Sequence, residues 1–212
     1  MRALGHCRLY GILDLGYVRA DEAPRAAARM IQGGVDILQV RAKGRAAGEI
    51  MDVAGAVLAK AAEAGVPLII NDFPELVAPT HASGVHIGQE DGGVAEARRL
   101  AGEGSLVGKS THSLEQALLA EKEGADYIGF GPLFATPTKP DYTPIGLAAI
   151  RRVHELVRIP IFCIGGIKLA NLEEVIAAGA TRVVIVSGIL KAEDIVTYAR
   201  SAKNILLSAL GD

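Results

Sequence analysis

The chain has 212 residues, half of them hydrophobic and 22% charged, with a formal net charge of −2. A chain of that size buries a sizeable core, and its near-neutral charge gives no broad basic field for nucleic acid. No apolar run approaches the roughly 20 residues that span a bilayer, and the N-terminal MRALGHCRLYGILDL is too short and too broken for a signal peptide.

Short apolar, β-branched runs alternate with helical patterns along the chain. The first run covers residues 9–13, followed by a helical pattern over 23–32, APRAAARMIQ. The second run, 37–40, precedes a long helical pattern over 48–64 with Ile50, Val53, Ala54, Val57 and Leu58 on one face. Runs at 68–70, 84–87 and 106–108 come next. The helix predicted over 113–123 opens on Ser113, with Gln116 placed for a capping box. A sixth run lies at 127–130 and a seventh at 161–164. A helix over 171–178 opens on Asn171 as its cap, and the eighth run is 183–186. The phrases QGG, EAG, KEG and AAG each close a helix, as glycine does at the position after a C-cap.

Each run is nearly continuous in hydrophobicity, which suits a parallel strand buried on both faces. Eight strand–helix alternations predict an α/β protein, a closed (β/α)8 TIM barrel, with residues 1–212 as a single domain. The alternative is an open doubly wound sheet. The first turn, LDLGYVRADE, lacks the glycine fingerprint such sheets use for dinucleotides. Cys7 and Cys163 form no metal motif and read as reduced thiols, which predicts a cytoplasmic protein with neither membrane nor nucleic-acid partners. The sequence leaves homo-oligomerisation open.

In a barrel the active site lies where strands end, so polar residues should gather just past the apolar runs. Gln39, Arg41 and Lys43 alternate onto one face at the end of run two. They read either as part of a structural ion pair or as a clamp for a phosphate or diphosphate. Asn71–Asp72 after run three and Asp91 after run four read either as helix caps or as carboxylates sharing Mg²⁺. After run five come Lys109, Ser110, Thr111, His112 and Ser113; Ser110 is a candidate ligand donor and His112 a candidate base or packing residue. Residues 131–144, GPLFATPTKPDYTP, form a connection of 14 residues with four prolines, long enough to predict an active-site loop. Gly165–Gly166 and Val186–Ser187–Gly188 are either tight turns or backbone cradles for a phosphate. No hydrolase, zinc or nicotinamide motif is present.

The phrases ILQVRAK, IINDF, GVHIGQED, GKSTHSLEQA, ADYIGFGPLFATPTKPDYTPIGL, IGGI with Asn171, and VVIVSGI resemble the thiamine-phosphate synthase family, in the family's order. The stretch 125–147 is the most specific part of the match. The resemblance implies a transferase of thiamine biosynthesis that joins hydroxymethylpyrimidine diphosphate to a thiazole phosphate, releasing thiamine phosphate and diphosphate by a Mg²⁺-assisted dissociative route. It implies that Gln39, Arg41, Lys43, Asn71, Ser110 and Lys139 hold the pyrimidine diphosphate. Thr136, Thr138, Gly166, Val186 and Ser187 would hold the thiazole phosphate, and Asp72 and Asp91 the Mg²⁺. Two stretches depart from the family: residues 44–48, GRAAG, lack a capping serine or threonine, and LDLGYVRADE matches loosely. A thiazole tautomerase using His112 as its base is one rival reading, and a non-catalytic sensor of thiamine precursors is another.

Overall fold

The computed structural model describes residues 4–136 and 143–211. Eight parallel strands close into a barrel in sequence order. They are β1 (Leu9–Asp14), β2 (Ile37–Arg41), β3 (Leu68–Asn71), β4 (Gly84–Ile87), β5 (Leu106–Thr111), β6 (Tyr127–Phe130), β7 (Ile161–Cys163) and β8 (Val183–Ile185). The helices between and after them are α1 (Ala23–Gln32), α2 (Ala47–Glu63), the short α3 (Val77–Thr80), α4 (Val94–Ala101), α5 (Leu114–Lys122), α6 (Ile150–Leu156), α7 (Leu169–Ala177), α8 (Ser187–Leu190) and α9 (Ile195–Leu210). The barrel is the one the alternation predicts. No helix among the described residues is long and apolar enough to cross a membrane.

The pleat divides each strand between two cores. Outward residues such as Leu9, Leu13, Leu38, Val40, Leu68 and Ile70 pack with the apolar faces of the helices. Inward residues Tyr10, Ile12, Ile37, Ile69, Tyr127, Phe162 and Val184 fill the barrel. Phe162 presents its edge to Tyr10 and to Tyr127, with ring centroids 5.4 and 5.7 Å apart. Gly108 has no Cβ because that atom would fall against the Tyr127 ring. Further along the inward rows the side chains turn polar, so the chemistry collects at the strands' C-terminal ends.

Several local expectations are corrected. The fifth strand runs on to Thr111 instead of stopping at residue 108, because Ser110 and Thr111 pair with Gly129 and Phe130 of β6. Polar composition hides this extension. Thr111 faces outward, fully buried, and its hydroxyl donates to the Gly129 carbonyl, while buried Lys109 donates to the Gly92 carbonyl. Asn171 is not the N-cap of its helix; α7 begins at Leu169 with Lys168 as N-cap and Asn171 as the third helical residue of a capping box. The Asn171 carboxamide instead accepts from the Lys168 N–H and donates to the Gly166 carbonyl, tying the helix start to the glycine turn. Ser113 caps α5 as expected, accepting from the Gln116 N–H, but the Gln116 side chain reaches the N–H of His112. The second helix starts at Ala47 and, as the GRAAG stretch suggests, has no side-chain cap.

One half-buried group gives the fold a pH signature. His154 on α6 pairs its Nδ1 with the Ile150 carbonyl, and its Nε2 is buried without a partner among the described residues. Burial, with a smaller contribution from the positive charge of Arg182, pushes its pKa below the usual histidine value, against the upward pull of the Ile150 bond. The folded state therefore prefers the neutral ring. The resulting stabilisation is present above the unfolded pKa of about 6.5 and is lost as pH falls through and below it. Urea midpoints at pH 8 and pH 5.5 should differ more for the wild type than for His154→Leu. Equal differences would remove His154 as the cause.

Candidate active site

The inward polar residues open into a cleft at the C-terminal end of the barrel, with about 780 Å³ of empty space, mouth included. Gln39, Arg41, Asn71, Ser110, Thr136, Gly166, Val186 and Ser187 all line it. Thr138 and Lys139 lie outside the described residues.

One rim is charged. Arg41 ends β2 opposite Asp14 at the end of β1, and its guanidinium donates to the Asp14 carboxylate at 2.6 Å. The other oxygen of Asp14 accepts from the Gly16 N–H. The ion-pair reading of the Arg41 motif is realised, and the same side chain lines the cleft. Asp14 fixes one edge of the guanidinium plane and leaves the planar fork oriented. Lys43 lies past the end of β2, exposed, where its charge acts on Asp72.

Asp72 and Asp91 meet across the ends of β3 and β4. Asp72 adopts a left-handed backbone, φ 66°, that few non-glycine residues tolerate, and its N–H donates to the His86 carbonyl. Asp91 accepts from the Gly88 N–H at 2.7 Å. Burial, then the charge of Asp91 and a hydrogen bond between the two carboxyls, raise the Asp72 pKa to about 6, against the opposing pull of Lys43 and Asn71. Neither aspartate serves as an N-cap: Phe73 caps the 3₁₀ turn Pro74–Leu76 that follows Asp72, and Gly93 caps α4. Asp72 is half-buried and Asp91 exposed, and two carboxyls brought together share either a proton or a cation. The pair fits Mg²⁺, a hard cation that takes one or two carboxylates and completes its shell with water and phosphate oxygens.

The opposite rim, at β7 and β8, is neutral. Gly165 and Gly166 both have left-handed backbones, φ 99° and 69°. A Cβ on Gly166 would stand 2.7 Å from the Cβ of Phe134 and 2.9 Å from the Ala135 carbonyl oxygen. Glycine is required there because the connection after β6 packs directly on the turn. Ser187 opens α8, so its hydroxyl and nearby backbone N–H groups stand at the cleft.

Between the rims, polar side chains form a chain through the barrel. The Gln39 amide donates to the Tyr10 hydroxyl at 2.7 Å, which lies 3.0 Å from that of Tyr127. The Tyr127 hydroxyl is 3.3 Å from His86 Nδ1, and His86 Nε2 is 3.0 Å from the Ser110 hydroxyl. His112 also lines the cleft, and its Nδ1 pairs with the Gly131 carbonyl. Sequence reasoning assigns no role to Asp14, His86 or the two tyrosines. Strand alternation could have found Asp14 and His86, since each is an inward polar residue near the end of a strand.

Comparison with known proteins agrees with this geometry. The family profile described as thiamine monophosphate synthase matches residues 9–189. The thiamine-phosphate synthase of Shouchella clausii is 42% identical over 204 residues, covering 96% of each chain. That of Thermus thermophilus is 45% identical over 179 residues, covering 84% of this chain and 86% of its own. The solved structure of thiamine phosphate pyrophosphorylase from Pyrococcus furiosus superposes with a TM-score of 0.90 at 30% identity, covering 99% of this chain and 100% of that one. With the same barrel, and with related sequence through all eight strands, the chain belongs to the thiamine monophosphate synthase family and is an enzyme of the transferase class.

Proposed function

We propose that the protein joins hydroxymethylpyrimidine diphosphate to a thiazole phosphate, giving thiamine phosphate and diphosphate. The observation that carries this reading is one cleft with two unlike rims. Arg41 lines one rim, with Lys43 and the Asp72–Asp91 pair beyond the strand ends, which suits a diphosphate bound with Mg²⁺, and the neutral glycine rim suits a phosphate monoester.

Arg41 and Lys43, with Lys139 from the connection after β6, neutralise the charge that grows on the departing diphosphate. Asp72 and Asp91 would hold Mg²⁺, which when bound supplies further charge neutralisation on the phosphate oxygens. Gln39, Asn71 and Ser110 orient the pyrimidine. The bond from the pyrimidine methylene carbon to the diphosphate oxygen breaks first, leaving a ring-stabilised cation. The thiazole nitrogen then forms its bond to that carbon. Thr136, Thr138, Gly166, Val186 and Ser187 hold the thiazole phosphate so that its nitrogen is in reach and water is not. This chemistry needs no nucleophile–base pair. A tautomerase would have no use for the carboxylate pair. The reading takes the protein to be cytoplasmic, in keeping with two buried free thiols; burial raises the Cys163 pKa to about 12.

Asp91→Asn tests the metal assignment. It should raise the Mg²⁺ concentration for half-maximal turnover by about tenfold or more. An unchanged Mg²⁺ titration would remove Asp91 from the metal site.

A further inference from the structure

We infer that Tyr10 and Tyr127, which stand beneath the cleft, are positioning residues that act through His86 to set the hydrogen-bond polarity of the cleft's inner end. They make Ser110 a donor and Gln39 an acceptor toward the bound ring. The inference rests on the proposed function only in taking that ring to be a pyrimidine.

The polarity follows from which groups can donate. The Gln39 nitrogen has only hydrogens to offer, so Tyr10 Oη accepts from it. Tyr10 is 1% exposed, and its own hydroxyl hydrogen needs an acceptor. Tyr127 Oη supplies one at 3.0 Å. The Tyr127 hydrogen, equally buried, then goes to His86 Nδ1, so His86 carries its hydrogen on Nε2 and donates to Ser110 Oγ. The Ser110 hydroxyl hydrogen is thereby directed to a ligand. The Gln39 carboxamide oxygen, with its nitrogen committed to Tyr10, accepts from one. The opposite direction, from Ser110 through His86 to the tyrosines, needs the Gln39 carboxamide turned over, with its oxygen on Tyr10 and its nitrogen toward the ligand.

Burial holds both tyrosine pKa values well above the usual range, so both hydroxyls keep the hydrogens the relay needs. Neither tyrosine lines the main cleft, whereas Gln39, His86 and Ser110 do. The tyrosines therefore act through their neighbours. The polarity fits a ring bearing an amino donor on the Gln39 side and a nitrogen or oxygen acceptor on the Ser110 side.

The test is a long-range 15N–1H correlation spectrum of the labelled protein near pH 8, with the His86 signals identified by their loss in His86→Gln. The wild type should show the Nε2–H tautomer at His86. Tyr127→Phe keeps the ring packing but should give a mixture of tautomers. It should also lower kcat/KM for the pyrimidine diphosphate about tenfold, while the KM for thiazole phosphate stays within about twofold. Tyr10→Phe should leave His86 as Nε2–H, because Tyr127 still donates to it, and should lower kcat/KM for the pyrimidine substrate by freeing Gln39. An Nδ1–H tautomer in the wild type overturns the relay whatever the activity. The expected tautomers with unchanged pyrimidine kinetics in both variants overturn the positioning role. A protein with no synthase turnover but with Nε2–H at His86, lost in Tyr127→Phe, would keep the relay and refute only the substrate assignment.

Discussion

Arg41→Ala should lower kcat/KM for the pyrimidine diphosphate by about 10²- to 10³-fold, the range seen when a preorganised charge-stabilising donor is removed. The reason is geometric as well as electrostatic. Arg41 is fixed by Asp14 at 2.6 Å, with side chains only 12% and 3% exposed. Its guanidinium therefore needs no reorganisation when the leaving group gains charge. Removing it also leaves the Asp14 carboxylate at the cleft with the Gly16 N–H, which adds repulsion toward an anionic substrate. The KM for thiazole phosphate should change by no more than about threefold, since that phosphate is assigned to the opposite rim. Arg41→Lys should recover only part of the loss, because an ammonium cannot bridge Asp14 and a phosphate with a planar fork. Equal losses for both substrates, measured by initial rates with each varied in turn, would contradict the division of the cleft.

Lys203→Met should destabilise the fold by up to about 3 kcal/mol, because it takes the ammonium away from a buried carboxylate. Lys203 reaches from α9 to the carboxylate of Asp36, which just precedes β2. The same oxygen of Asp36 accepts from the N–H groups of Arg8 and Leu9 where β1 begins. The last helix is thus tied to the first two strands at the barrel's N-terminal end. The Asp36 side chain is 3% exposed, so water cannot replace the lost ammonium, although the two N–H groups soften the loss. Methionine keeps the apolar stem, which separates charge from packing. Urea unfolding should show the loss, while KM values stay unchanged because the pair lies at the end opposite the cleft. A loss well under 1 kcal/mol would mean that Asp36 is satisfied without the ammonium.

What can be read from the sequence, and what cannot, follows from the range of the interactions. Strands buried on both faces advertise themselves as apolar runs, so all eight stand out. β5 reads short by three residues, where β1, β2 and β3 each lose only one, because Lys109, Ser110 and Thr111 are polar residues held in a parallel ladder. Site residues past the strand ends are legible because barrel geometry dictates where they must gather. Asp14, by contrast, gains its meaning only from the register that sets it opposite Arg41. Tyr10 and Tyr127 are separated by 117 positions, and nothing local marks two aromatic residues in apolar runs as hydrogen-bonded partners. Asn171 has the composition of a cap, but its place on the third residue of α7 and its bond to Gly166 depend on how the β7 turn folds.

The most direct test of the proposed function is a coupled assay. The purified protein is mixed with hydroxymethylpyrimidine diphosphate, thiazole phosphate and Mg²⁺, and both products are followed with and without a chelator. The account predicts equimolar thiamine phosphate and diphosphate, lost on chelation and restored by added Mg²⁺. Binding of both substrates without turnover would contradict it.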